Sequence, residues 1–113
     1  MEKPQPVNPL DLSRMIEPYD NRQLAAVNDH EIRMSVMEGK YRWHIHPDSD
    51  ETFLSVDGQL LIELEDGQVT LRPGDMFTVP AGVLHRTSAL TPKSVNLTFE
   101  RLDALTVFPE RKT

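Results

Sequence analysis

Of the four histidines in this 113-residue chain, three stand where imidazoles could act together. His44 and His46 lie two apart in a segment, 41–46, that reads as a β-strand. Successive side chains of a strand alternate faces, so both rings would project to one side. Glu51 follows five residues later, past a Pro47-Asp48-Ser49-Asp50 turn that could bring it back toward the pair. His85 comes just after Pro80-Ala81-Gly82, at the start of another strand. Three imidazoles and a carboxylate suit zinc, iron, manganese, nickel or copper, with solvent at any open position. A lone His-x-His pair, however, is more often two surface or core histidines than a metal site. His30, beside Asn28-Asp29, has no spacing that links it to the others and reads as a loop residue. Asp48 and Asp50 read as turn residues, whose carboxylates can bond the backbone two residues on.

The elements that must position these residues are short. Runs of valine, leucine, isoleucine and phenylalanine bounded by Gly, Pro, Asp and Asn mark strands at 32–37, 41–46, 52–56, 59–65, 68–72, 76–79, 85–88 and 94–100. About eight such strands indicate a sandwich or barrel. Asp66-Gly67 is the residue pair favoured in a two-residue type I′ hairpin turn. Folding there sets Leu64 opposite Val69, Ile62 opposite Leu71 and Glu63 opposite Thr70, giving one apolar and one polar face. Ahead of the strands, Asn8-Pro9 offers a helix cap and a first-position proline for a short helix over 10–16, stopped before Pro18. Residues 1–9 read as an extended arm. The expected organisation is arm and short helix over 1–31, a barrel over 32–108 and a tail over 109–113.

Composition narrows the field. The chain is 38% hydrophobic and 27% charged, within the range of a globular domain. Cysteine is absent, which excludes disulfides, thiolate ligands and cysteine nucleophiles. A net charge of −6 has the wrong sign for a phosphate-backbone binder, so no nucleic acid or anionic membrane partner is expected. No apolar run is long enough for a membrane span, and residues 1–9 lack a signal-like pattern, giving an expected cytoplasmic location.

At the histidines the chain resembles the cupins. Their first motif is matched by His44-Ile45-His46, four residues, Glu51, six residues and Gly58, with Gly39 one residue too close. Their second is matched by Gly74, five residues, Pro80-Ala81-Gly82, two residues and His85, with Ala89 where the motif has Asn. The chain is similar to small bacterial single-domain cupins of the conserved-barrel type, a group loosely called mannose-6-phosphate isomerase-like. The resemblance implies an all-β double-stranded β-helix, a jelly-roll barrel, with a short N-terminal helix. It implies that His44, His46, Glu51 and His85 are the ligands of one divalent transition metal (Fe, Mn, Zn or Ni). Ala89 is not a ligand position, so its departure leaves that set whole.

The function implied is a metal-dependent enzyme, of dioxygenase or sugar/keto-acid isomerase type, acting on a small organic molecule at the barrel mouth. The alternative is a non-catalytic metal-dependent module that binds or senses a small ligand. A storage or structural cupin is the weaker third reading. Strand parity puts Arg42 on the face of His44 and His46, where it would pair with a substrate anion or else remain a solvated arginine. Phe53 reads as barrel core. Trp43 and Ile45 must point away from the ligands, Trp43 onto the other sheet or a partner of an expected homodimer.

Overall fold

A computed structural model describes residues 3–16 and 18–109. The first element is a short helix, α1 (Pro9–Ser13). Its cap is the expected one: the Asn8 side-chain oxygen accepts the Asp11 N–H at 3.0 Å, and Pro9 fills the first turn. Such a cap contributes about 1 kcal/mol. The helix stops three residues short of Ile16, because the Met15 and Ile16 N–H groups bond carbonyls three residues back and the chain leaves in a tighter turn. Lys93 Nζ donates to the Ser13 carbonyl at 2.6 Å, satisfying one of the end carbonyls of so short a helix.

Eight strands follow: β1 (Asp20–Val27), β2 (His30–Met37), β3 (Glu51–Asp57), β4 (Leu60–Leu64), β5 (Gly67–Leu71), β6 (Met76–Val79), β7 (His85–Ala89) and β8 (Ser94–Arg101). They form a five-stranded sheet in the order β1-β2-β8-β3-β6 and a three-stranded sheet in the order β5-β4-β7, with every pairing antiparallel. This is the all-β cupin barrel that the motifs imply. No described helix is long and apolar enough to cross a membrane.

Three expectations need correcting. Strand β1 lies in the stretch read as arm and helix. Its sequence, DNRQLAAV, shows no alternation because it is an edge strand exposed along most of its length. His30 accordingly opens β2 instead of sitting in a loop, after a β1–β2 turn that uses Asn28 at φ 55°. Residues 41–46 form no regular strand: Lys40 and His44 make isolated bridges to Ser88 and His85, and Ile45 makes one to Val107. The Arg42 carbonyl there accepts from the His44 ring at 2.7 Å instead of from a ladder N–H. The β4–β5 hairpin, finally, turns one residue earlier than Asp66-Gly67 suggests. Leu64 pairs with Gly67 and Ile62 with Val69, so Glu65 and Asp66 are the turn, and neither has positive φ. Glycine then falls on the fourth turn position, which type I turns favour. A register change of two leaves every side chain on its face, so the apolar pattern could not separate the two turns. The expected tail lies outside the described residues except for Pro109, as do the first two residues of the arm.

Two apolar clusters hold the sheets. Met37, Phe53, Leu60, Ile62, Leu71 and Val79 fill the space between the sheets. Met34, Val36 and Val95 lie on the opposite face of β2 and β8, under Leu12 and Ile16 from the α1 region and Leu24 from β1. Alternation along β2 therefore sends Met34 and Val36 outward to the helix while Glu31, Arg33, Ser35 and Met37 face the barrel interior.

The glycines test this backbone. Gly58 sits at φ +69°, and a Cβ there would overlap the Lys93 carbonyl oxygen and the Thr91 hydroxyl. Gly67 has open space and no positive φ. Gly58→Ala should destabilise by more than about 1 kcal/mol, whereas Gly67→Ala should be neutral or stabilising by about 0.4–1 kcal/mol. Denaturant midpoints check this, and a strongly destabilised Gly67→Ala would restore the Asp66-Gly67 turn.

Candidate metal centre

The four residues singled out by the motifs converge. One ligand atom from each of His44, His46, Glu51 and His85 lies within 4.8 Å of all the others, and all four residues are buried. His44 and His85 are held opposite each other by a pair of backbone bonds, His44 N–H to His85 O at 2.9 Å and His85 N–H to His44 O at 3.0 Å. His46 follows two residues on, and its carbonyl accepts the Gly82 N–H of the Pro-x-Gly turn at 2.9 Å. Glu51 is the first residue of β3 and pairs with Val79 of β6.

Ring orientation is set by the backbone. His44 Nδ1–H donates to Arg42 O at 2.7 Å, His46 Nδ1–H to Leu105 O at 2.9 Å and His85 Nδ1–H to Val83 O at 2.9 Å. A carbonyl can only accept, so each Nδ1 carries the proton and each neutral ring offers its Nε2 lone pair. Nε2 of His46 and Nε2 of His85 both lie 3.2 Å from the same oxygen, Glu51 Oε1. Lone pairs facing a carboxylate oxygen repel unless a cation lies between them, either a second proton on a ring or a metal ion. Adjacent ligands of one ion with bonds of about 2.1 Å stand about 3.0–3.4 Å apart, so the spacing and donor set fit a first-row divalent metal.

The electrostatics of these buried groups are coupled. His44 is pushed down to about 4 by burial and by the two neighbouring imidazoles. Burial opposes the charge on His46 too, but the hydrogen bond and charge of Glu51 outweigh it and raise His46 to about 9. Glu51 is likewise disfavoured as an anion by burial, yet its bonds to His46 and His85 hold it at about 2.

Above the cluster is a cavity of about 310 Å³ lined by His44, His46 and Glu51 and by the inner face of the larger sheet. That face supplies Arg33, Asn96, Thr98 and Glu100, none of which stood out in the sequence. Alternation along β8 places Ser94, Asn96, Thr98 and Glu100 on one side, so polar residues alternating with Val95, Leu97 and Phe99 were the available signal. Glu100 is held up at about 7 by burial and by the nearby Glu51 charge, leaving a carboxyl that titrates near neutrality. Arg42 takes no part in the cavity: it is exposed, its guanidinium 4.0 Å from the Phe108 ring centroid, because parity does not run through irregular backbone. Phe53 is core and also cavity wall. Trp43 is 8% exposed within the single chain, with the Arg86 guanidinium over its ring, so its burial requires no second copy. His30 stays outside the cluster, exposed and bonded to Asp29.

Comparison with known proteins agrees with the geometry. The Cupin_2 family model, described as a cupin domain, matches residues 31–102, and the chain belongs to this family. It is 40% identical over 97 residues to the uncharacterized protein YdbB of Bacillus subtilis (strain 168), covering 85% of each chain. Among solved structures it is similar to a cupin-2 domain containing protein from Shewanella frigidimarina NCIMB 400, at 30% identity and a TM-score of 0.78, covering 84% of this chain and 93% of that one. It also shares the fold of the DMSP lyase DddQ from Ruegeria pomeroyi DSS-3, at 23% identity and a TM-score of 0.72, covering 83% of this chain and 54% of that one.

Protonation gives a direct check of the site. With His46 raised to about 9 in the metal-free protein, its Nε2 carries a proton at pH 7.5 that must leave before it can ligate. Metal uptake at that pH should release about one proton per ion, and apparent affinity should climb with pH up to that value. Calorimetry in buffers of different ionisation enthalpy measures the release, and zero release would reject a protonated His46 Nε2 in the metal-free site.

Proposed function

We propose that this chain is a metal-dependent enzyme acting on a small polar organic molecule, its one divalent transition metal held by His44, His46, Glu51 and His85. The observation that carries the reading is the arrangement of two Nε2 atoms around one buried carboxylate oxygen, with both Nδ1 atoms already engaged. A metal bound there would supply Lewis acidity or, in the case of iron, a seat for dioxygen. The chain's own residues do the rest. The inner-face side chains of Arg33, Asn96 and Thr98 offer donors and acceptors to hydroxyl or carboxylate groups, and the cavity holds a ligand of on the order of ten waters' volume.

Dioxygenase chemistry and sugar or keto-acid isomerase chemistry both suit such a ligand. That another protein of this fold is a lyase supports catalysis in such a barrel and carries no substrate across. A homodimer remains the proposed assembly, two-fold dimers being the commonest, with the N-terminal arm crossing to a partner.

The test begins with elemental analysis of protein purified without added metal, followed by oxygen-consumption and isomerisation assays over diols, phenols and keto acids. Metal at a hundredfold above its dissociation constant should stabilise the fold by about 2.7 kcal/mol. His46→Ala and His85→Ala should abolish both metal occupancy and that rise in melting temperature, and His30→Ala should leave both intact. Loss of metal in His30→Ala would overturn the site. Metal and ligand binding without turnover would favour the sensing module.

A further inference from the structure

The turn between His46 and Glu51 does more than reverse the chain. Each of its three polar side chains bonds backbone from a distant element. Asp48 Oδ1 accepts the Leu105 N–H at 2.9 Å, Ser49 Oγ accepts the Arg101 N–H at 3.0 Å, and Asp50 Oδ1 accepts the Ala81 N–H at 2.8 Å. The expected bonds, from aspartate to backbone two residues on, are not the ones formed by Asp48 and Asp50. Ser49 is buried and also donates to the Asp50 carbonyl at 2.7 Å, fixing the turn from within.

Two of the backbone segments tied down in this way orient histidines. Leu105, whose N–H is held by Asp48, presents the carbonyl that accepts His46 Nδ1–H at 2.9 Å. Ala81, whose N–H is held by Asp50, belongs to the turn that continues through Val83, and Val83 presents the carbonyl that accepts His85 Nδ1–H at 2.9 Å. Leu105 lies in an exposed stretch after β8, whose other ties near the site are the Ile45–Val107 pair of backbone bonds and the Thr106 hydroxyl, 3.3 Å from His46 Nδ1. Asp48 thus fixes the residue whose carbonyl orients His46, and its loss would leave the Thr106 hydroxyl as the neighbouring contact to that ring nitrogen.

We infer that Asp48 and Asp50 are positioning residues for the metal centre, Asp48 acting through Leu105 on His46 and Asp50 acting through the 80–83 turn on His85. The inference rests on the metal-site reading and extends it: the five residues from Pro47 to Glu51 supply one ligand and aim two others. The work of each aspartate is to accept a hydrogen bond, so it depends on an oxygen at the right place and not on charge.

The test uses the full chain, stripped of metal and titrated with zinc against a chelating dye. Asp48→Ala and Asp50→Ala should each weaken zinc binding about 10- to 100-fold, the range for groups that support metal ligands. Asp48→Asn and Asp50→Asn should restore most of the affinity, because an amide oxygen still accepts. Asp66→Ala, at the exposed hairpin turn, should change nothing. Long-range proton–nitrogen NMR of the metal-free protein gives a second readout: Asp48→Ala should shift the His46 ring nitrogens more than those of His85, and Asp50→Ala the reverse. Alanine variants with wild-type affinity and unchanged ring signals would overturn the proposal, as would asparagine variants that fail to rescue or equal shifts of both rings in both variants. If the wild type takes no zinc, the metal reading falls while the selective ring shifts still decide the positioning role.

Discussion

The site depends on one constraint: three imidazoles can offer Nε2 to a common point only if three Nδ1 protons each find a backbone carbonyl. His44 and His85 solve this in the same local way, each donating to the carbonyl two residues upstream, Arg42 O and Val83 O. His46 does otherwise: the carbonyl two residues before it, His44 O, accepts the His85 N–H. Its own ring proton goes to Leu105, some sixty residues along the chain. The centre therefore draws on a third segment, behind His46.

The same constraint explains the irregular backbone around the centre. In a regular ladder the carbonyls of residues 41–46 would be used up by neighbouring N–H groups. Isolated bridges at Lys40, His44 and Ile45 keep the segment against the barrel while leaving Arg42 O for an imidazole. Turn residues 80–83 do the same for His85.

This division also separates what was legible in the sequence from what was not. His44, His46, Glu51 and His85 were legible because they are polar residues at fixed spacings among turn-marking glycines and prolines. The faces of β4 and β5 were legible from alternation, although their register was not, since a shift of two preserves every face. Strand β1 was hidden because an edge strand buries too little to impose a pattern. Of the two readings of Arg42 the solvated arginine holds, and the ligand-face one failed because parity was extended through backbone that is not a strand. The Leu105 contact was beyond reach for a different reason: a carbonyl carries no residue type, so nothing at position 105 marks it as the partner of His46. Asn96 and Glu100 lay in between, their alternation visible but their polarity pointing equally to solvent.

That polarity has a structural consequence. Sheets in a barrel usually turn apolar residues inward, but the larger sheet here faces its cavity with Ser35, Asn96, Thr98 and Glu100. Some inner-face groups gain nothing from burial: among the described residues, the Ser55 and Ser94 hydroxyls and the Asn96 side-chain oxygen have no hydrogen-bond partner. Each such group costs about 1–3 kcal/mol. The offset lies on the other side of the same strands, where Met34, Val36 and Val95 are fully buried beneath Leu12, Ile16 and Leu24. Burying such side chains stabilises by about 1.5–3 kcal/mol each. The sheet thus packs outward onto the N-terminal segment so that its inner face can remain polar and open. The capped helix α1, five residues long and too short to be stable alone, is part of what sustains a polar cavity over the four candidate ligands.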